Sequence, residues 1–232
     1  MKETPILFTP DNIRLILGDL KDETRRFCQW PLMSKSDGVK KRVWLHGDLS
    51  EVRKCLSERQ RDPMRILCPW GQVGDRLWVR EAWAIAGDRL IDPCLNYKAD
   101  GKQRPINKHK DGHDFWYPYG SKRPITSEEL MKPDLRKLGW RSALFMPKWT
   151  ARLWLEITKV KVERVQEISP QDARAEGVEP CTNCVRLGRL GNCQCHVQYK
   201  KLWDSINGKR HPWASNPWVW ALTFRRLNEE TL

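Results

Sequence analysis

The chain has 232 residues, enough to bury a sizeable core in one elaborated domain or two small ones. Its 42 Lys and Arg against 29 Asp and Glu give a formal charge of +13, which suits a polyanionic partner such as a nucleic acid as well as simple solubility. No apolar run approaches the ~20 residues needed to cross a bilayer and no charged-then-apolar leader opens the chain, so a membrane-spanning helix is excluded and a cytoplasmic protein is expected.

Thr9-Pro10-Asp11-Asn12 predicts a helix with Thr9 at the N-cap and Pro10 at its first position. Ile13, Ile16, Leu17 and Leu20 would form its buried stripe, and Gly18 would supply the left-handed residue that ends it. Directly afterwards come Lys21, Thr24, Arg25 and Arg26, expected in a loop that enters a strand. An amine, a hydroxyl and two guanidiniums in so few residues can converge on a ligand. Taken alone, the same residues also read as a solvated, charged turn.

Residues 31–64 are polar and basic with little periodicity and read as an insertion. A short strand is predicted over 65–70, a turn over 71–75 and a strand over 76–83. In the last of these Leu77, Val79 and Glu81 share one face and Trp78, Arg80 and Ala82 the other. Arg80 and Glu81 inside an apolar strand need partners or solvent. Residues 84–147 read as a second insertion, mostly surface loops over 88–137 with a short helix at 127–131. His109 and His113 lie there at a helical ligand spacing, but Gly112 argues against a helix and hence against a metal.

Alternation over 152–158 and extended character over 160–165 predict strands. Ser169-Pro170-Gln171-Asp172 then starts a helix that runs through Glu176 and ends at Gly177. A carboxylate at a helix C-terminus is disfavoured by the helix dipole, so Glu176 needs another group, and a lysine would serve. A helix over 197–206 places Leu202, Trp203 and Ile206 on one side and stops at Asn207-Gly208. Residues 216–226, apolar on both faces, predict a central or closing strand. Strands outnumber helices, which points to an α+β fold: a small mixed β-barrel with covering helices, in a single domain over 1–232.

Cys181, Cys184, Cys193 and Cys195, followed by His196, place four thiols and an imidazole within sixteen positions. A CxxC turn offers two thiolates to one tetrahedral ion, and Gly188 and Gly191 let the chain reverse so that the second pair closes the site. The expected cofactor is a structural zinc in an insert over 179–196, with His196 as substitute ligand or supporting group; free surface thiols are the alternative. Arg186 and Arg189 on the connecting loop could reach a phosphate backbone. Thirteen tryptophans can fill a core or stack on bases.

Lys21-x-x-Thr24-x-Arg26, Gly74-Asp75-x-Leu77, the helix from Ser169 to Gly177 and the closing strand from Trp218 together resemble the ASCH family. Leu77-Trp78-Val79-Arg80-Glu81-Ala82-Trp83, Met146-Pro147-Lys148-Trp149, Leu202-Trp203-Asp204-Ser205-Ile206-Asn207 and Asn216-Pro217-Trp218-Val219-Trp220 look like a phage- and prophage-borne branch of it, so the expected setting is a bacterial host cell. The resemblance implies a PUA-like barrel that binds RNA or nucleotides in a cleft. One small bacterial member is an amidohydrolase that removes acetyl from acetylcytidine with a lysine, a threonine and a glutamate. By motif these fall on Lys21, Thr24 and Glu176, and the following arginine on Arg26; Arg25, Arg80 and Glu81, where the chain departs from the small enzyme, and Trp83 are further expected substrate-binding residues. Three readings stay open: an amidohydrolase on an N-acylated nucleoside, a non-catalytic RNA- or DNA-binding module, and a phage assembly or host-interaction protein.

Overall fold

The structure is a computed structural model that describes residues 1–28, 32–36, 39–43, 65–66, 68–86, 94–108, 115–118, 125–126, 139–179 and 194–228. In chain order the first elements are β1 (Glu3–Leu7), α1 (Pro10–Leu17), β2 (Glu23–Phe27), β3 (Leu32–Ser36), β4 (Val39–Val43), β5 (Arg65–Ile66) and β6 (Arg76–Arg80). Next come β7 (Trp83–Ala86), β8 (Cys94–Tyr97), β9 (Gln103–Lys108), β10 (Phe115–Pro118) and β11 (Ile125–Thr126). The last are β12 (Trp154–Arg164), α2 (Pro170–Ala175), α3 (Gln194–Asn207) and β13 (Trp218–Leu227). The chain is α+β. No sheet closes on itself among the described residues, so these ladders do not draw the expected barrel. No described helix is long and apolar enough to cross a membrane.

Two compact units are present. The first comprises Met1–Lys2, Gly18–Arg76 and Glu156–Arg225. In it β13 lies between β12 and β2, and β2 runs antiparallel with Thr24 opposite Leu222, Arg25 opposite Ala221 and Arg26 opposite Trp220. The pleat of β13 separates two hydrophobic clusters. Val219 joins Val165, Ile168, Ala173, Cys195, Tyr199, Trp203 and Trp213, which bring α2 and α3 onto the sheet. Trp220 and Leu222 point the other way and pack with Cys28, Cys68 and Val162. Because both faces of β13 are covered, its sequence carries no polar alternation over 218–222.

The pattern of α3 corrects the sequence reading. The helix starts at Gln194, and its buried stripe is Cys195, Tyr199 and Trp203, while Ile206 is 49 % exposed. Gly208 does not take the left-handed conformation; its N–H continues the helical pattern to the Asp204 carbonyl at 2.9 Å. The polar segment after β2 holds a hairpin, β3 with β4, and β5 pairs with the other edge of β3.

The second unit comprises Glu3–Leu17, Leu77–Leu155 and Arg226–Leu232. The segment read as surface loops contains an antiparallel sheet in which β7, β8, β9, β10 and β11 follow in chain order. Strands of two to six residues, interrupted by Gly, Pro and Lys, are too short to show a period, and sequential pairing supplies what propensity does not. The helix expected at 127–131 and the pair His109 and His113 lie outside the described residues. The strand expected over 76–83 breaks after Arg80. Trp83, Ile85, Leu95, Tyr97, Met146 and Ala151 form the core of this unit with Trp78.

The two thiols beneath β13 carry a pH dependence. Burial pushes Cys28 up to about 12 and Cys68 to about 11, from 9.0. Raised folded values keep protons that the unfolded chain loses, so this contribution is whole below pH 9.0 and is lost as pH rises towards 11 to 12. Lys21, lowered from 10.5, acts in the opposite sense, adding stability as pH rises through its window. Thermal unfolding of wild type and Cys28→Ala at pH 8 and pH 10 isolates the thiol: wild type should lose about 1 kcal/mol more than the variant. Equal losses would contradict the assignment.

Candidate functional site

The first unit brings Lys21 to Glu176 by two local decisions of the backbone. α1 ends at Leu17, and the left-handed residue is Asp19 (φ 56) rather than Gly18. This leaves Leu20 65 % exposed and outside the buried stripe, and turns Lys21 inward, where it is 3 % exposed. Thr9 caps the same helix as predicted, its hydroxyl accepting from Asn12 N–H at 3.4 Å. α2 begins with the Ser169 hydroxyl accepting from Asp172 N–H at 3.0 Å. It ends with Glu176 at the C-cap and Gly177 at φ 92, a left-handed stop that favours glycine. The Asp22 N–H donates to the Ala175 carbonyl at 2.9 Å, which sets the end of α2 beside the start of β2.

The Lys21 amine donates to the Glu176 carbonyl at 2.8 Å and to Glu176 Oε2. Glu176 is 4 % exposed, so the lysine that its position at a helix end demanded is present and buried with it. Burial holds the Lys21 amine below its ordinary value; Glu176 opposes this, and Arg26 and Arg25 reinforce it.

Arg25 organises the carboxylates. Its Nε and Nη2 donate to Glu163 Oε1 at 2.8 and 2.6 Å, and Nη2 lies 3.4 Å from Asp172 Oδ2. Nη1 makes an ion pair with Glu23 Oε1 at 2.7 Å and reaches Glu176 Oε1 at 3.4 Å. The Thr223 hydroxyl donates to Glu23 Oε2 at 3.0 Å. Burial raises the Glu23 carboxyl, with Arg25 opposing. From α3 the Tyr199 hydroxyl donates to Glu176 Oε1 at 3.3 Å.

Thr24 and Arg26 leave β2 on the face opposite Glu23 and Arg25, as the register with Leu222 and Trp220 requires. Thr24 is buried, and among the described residues no hydrogen bond joins its hydroxyl to Lys21 or Glu176. Yet Lys21 feels both Arg25 and Arg26, and Arg26 feels Glu176. Within this unit β2 is the outer strand beside β13, and the Lys21–Glu176 pair lies just before its first residue, beside the end of α2.

Arg80, Glu81 and Trp83, expected as substrate-binding residues, belong to the second unit and have other partners there. Glu81 is 1 % exposed and takes Arg152 Nε and Nη2 on its two oxygens at 2.8 Å each. Arg152 also donates to Asp100 Oδ2 at 2.8 Å and lies over the Tyr97 ring. Trp83 is a core residue covered by Arg141 and Trp149, and so offers no open face to a base. Arg80 lies over Trp78 and donates to the Leu144 carbonyl at 3.1 Å.

Of the expected zinc ligands, Cys181, Cys184 and Cys193 lie outside the described residues, as do Arg186 and Arg189. The Cys195 thiol is fully buried in the α2–α3 cluster and donates to the Glu179 carbonyl at 3.5 Å. His196 stands edge-on to Trp213 with Nε2 3.5 Å from the Gln166 carbonyl.

Sequence reasoning missed Glu163, Asp172, Glu23 and Tyr199 as members of the site. A glutamate between Val162 and Arg164 in an apolar strand, and a tyrosine four residues from both Cys195 and Trp203, were the available signals. No family model, no curated protein and no solved structure matches the chain.

Proposed function

We propose that the chain is an ASCH-type, PUA-like protein that hydrolyses the amide of an N-acylated nucleoside. The observation that carries this reading is the buried Lys21 amine, held against the Glu176 carboxylate and depressed by burial towards its neutral form. A neutral amine takes the Thr24 proton as the hydroxyl oxygen adds to the amide carbonyl, and Arg26 supports the oxyanion. The ammonium then returns that proton to the departing amine as the C–N bond breaks. Water cleaves the acyl-threonine ester by the same route, releasing the acid and restoring Thr24.

Charge balance favours a neutral substrate over a phosphate at this position. Glu23, Glu163, Asp172 and Glu176 face Lys21, Arg25, Arg26 and Lys161, so the cluster has no net charge to attract a phosphodiester. Neutralising Lys21 and Glu23 together leaves the balance unchanged. A non-catalytic nucleic-acid role draws on the +13 overall charge and would use surface outside this cluster. The scaffold reading has no observation of its own. Incubating wild type and Lys21→Ala with a panel of N-acylated nucleosides tests the proposal: at least one should be cleaved by wild type and spared by the variant. A panel left intact by wild type would overturn it.

A structural zinc is a separate proposal, resting on the spacing of Cys181, Cys184, Cys193 and Cys195. It predicts about one zinc per chain, lost on Cys181→Ser with Cys184→Ser. Metal-free protein that folds normally would contradict it.

A further inference from the structure

The Glu176 carboxylate is approached from two sides. Oε2 receives the Lys21 amine, and Oε1 receives the Tyr199 hydroxyl at 3.3 Å and Arg25 Nη1 at 3.4 Å. Both contacts to Oε1 are long, so each is weak, and together they fix which oxygen is left for the lysine. The Tyr199 ring is itself held: it is 2 % exposed, 6.0 Å edge-on from Trp213, with the Arg25 guanidinium 5.8 Å from its centroid. α3 presents this hydroxyl because Cys195, Tyr199 and Trp203 form its buried stripe. The trio carried by the ASCH motifs gives Tyr199 no role.

We propose that Tyr199 is a positioning residue: its hydroxyl, with Arg25, holds Oε1 of Glu176, so that of the two carboxylate oxygens only Oε2 receives the Lys21 amine and part of the carboxylate charge is drawn away from that amine. The kinetic consequence rests on the hydrolytic reading above; the electrostatic one does not. The groups that face the Lys21–Glu176 pair are Glu23, Arg25 and Arg26 of β2, Lys161 and Glu163 of β12, and Asp172 of α2. Tyr199→Phe leaves all of them in place. Burial and Glu176 push Tyr199 well above 10.0, so it acts as a neutral donor throughout the working range.

Removing the hydroxyl returns carboxylate charge to the side of Lys21 and favours the ammonium. The Lys21 titration midpoint should therefore rise by about 0.5 pH unit, the worth of one weak hydrogen bond to a charged group. Protein labelled with 13C and 15N in lysine reports that midpoint by NMR, with Lys21 assigned by its loss in Lys21→Gln. In a Glu176→Gln background, Tyr199→Phe should leave the midpoint where it is. Biosynthetic 3-fluorotyrosine, a stronger donor of nearly the same size, is the second probe and should lower the midpoint, which keeps the test open should Tyr199→Phe fold poorly. With an N-acylated nucleoside that wild type cleaves, Tyr199→Phe should lower kcat at fixed neutral pH by about threefold with KM unchanged, and move the rising limb of the rate profile to higher pH.

An unmoved midpoint with either probe in folded protein overturns the positioning role. A moved midpoint with no nucleoside cleaved keeps that role and removes the hydrolytic reading. Cleavage with an unmoved midpoint does the reverse.

Discussion

Arg25→Ala should cost about 3–5 kcal/mol and lower the thermal midpoint by about 10 °C or more, a large share of the stability of a domain of this size. The reason lies in what stays behind. Glu163 receives two of its hydrogen bonds from Arg25, and Glu23 loses its closest cation, and both acids are buried residues. Two buried acids without a cation must take up protons or draw in water, and either route opens the packing of α2 against β2. Arg25→Lys keeps the charge but not the fork that spans Glu163 and Glu23, and should lie between wild type and Arg25→Ala. The paired change Arg25→Met with Glu163→Leu should recover part of the loss, because a buried ion pair can be replaced by apolar groups more cheaply than it can be halved. Circular dichroism melts compare the four proteins. A loss below about 1 kcal/mol for Arg25→Ala would mean that solvent, rather than Arg25, satisfies these acids.

Thr24→Ala should lower turnover of a cleaved N-acylated nucleoside by about a thousandfold or more while changing its affinity by less than about twofold. Thr24 is buried on β2, and among the described residues its hydroxyl is bound to neither Lys21 nor Glu176. Its removal therefore breaks no interaction of that pair and takes away little contact area. Turnover by stopped assay and affinity by calorimetry with a slow analogue separate the two effects. Equal losses in both would make Thr24 a ligand contact instead of a nucleophile.

Several parts of this site are legible in the amino-acid sequence, and the reasons differ. The N-cap at Ser169, the stop at Gly177 and the cap at Thr9 are local, so residues within one turn determine them. The partner of Glu176 follows from electrostatics, because a buried acid at a helix C-terminus needs a cation. Arg25 is legible as a polar residue near the site but not as its centre. Its partners sit on β2, β12 and α2, and only the register of Arg25 with Ala221 shows which face it takes. Tyr199 is hidden because α3 starts three residues before the expected Val197, which moves the stripe from Leu202, Trp203 and Ile206 to Cys195, Tyr199 and Trp203. Gly18 misleads for a related reason: a glycine after a helix is the default left-handed residue, yet Asp19 takes that conformation here. The meander of β7 to β11 escapes because its strands are too short for alternation to rise above composition.

The central claim is that Lys21, poised by burial and by Glu176, and Thr24 together open an N-acyl bond on a nucleoside. Its most direct test is the release of free acid from a panel of N-acylated nucleosides, measured side by side for wild type, Lys21→Ala and Thr24→Ala after each is shown to be folded. The account predicts release by wild type from at least one member of the panel, with both variants at the uncatalysed rate. Release that survives in either variant, or no release by wild type, would contradict it.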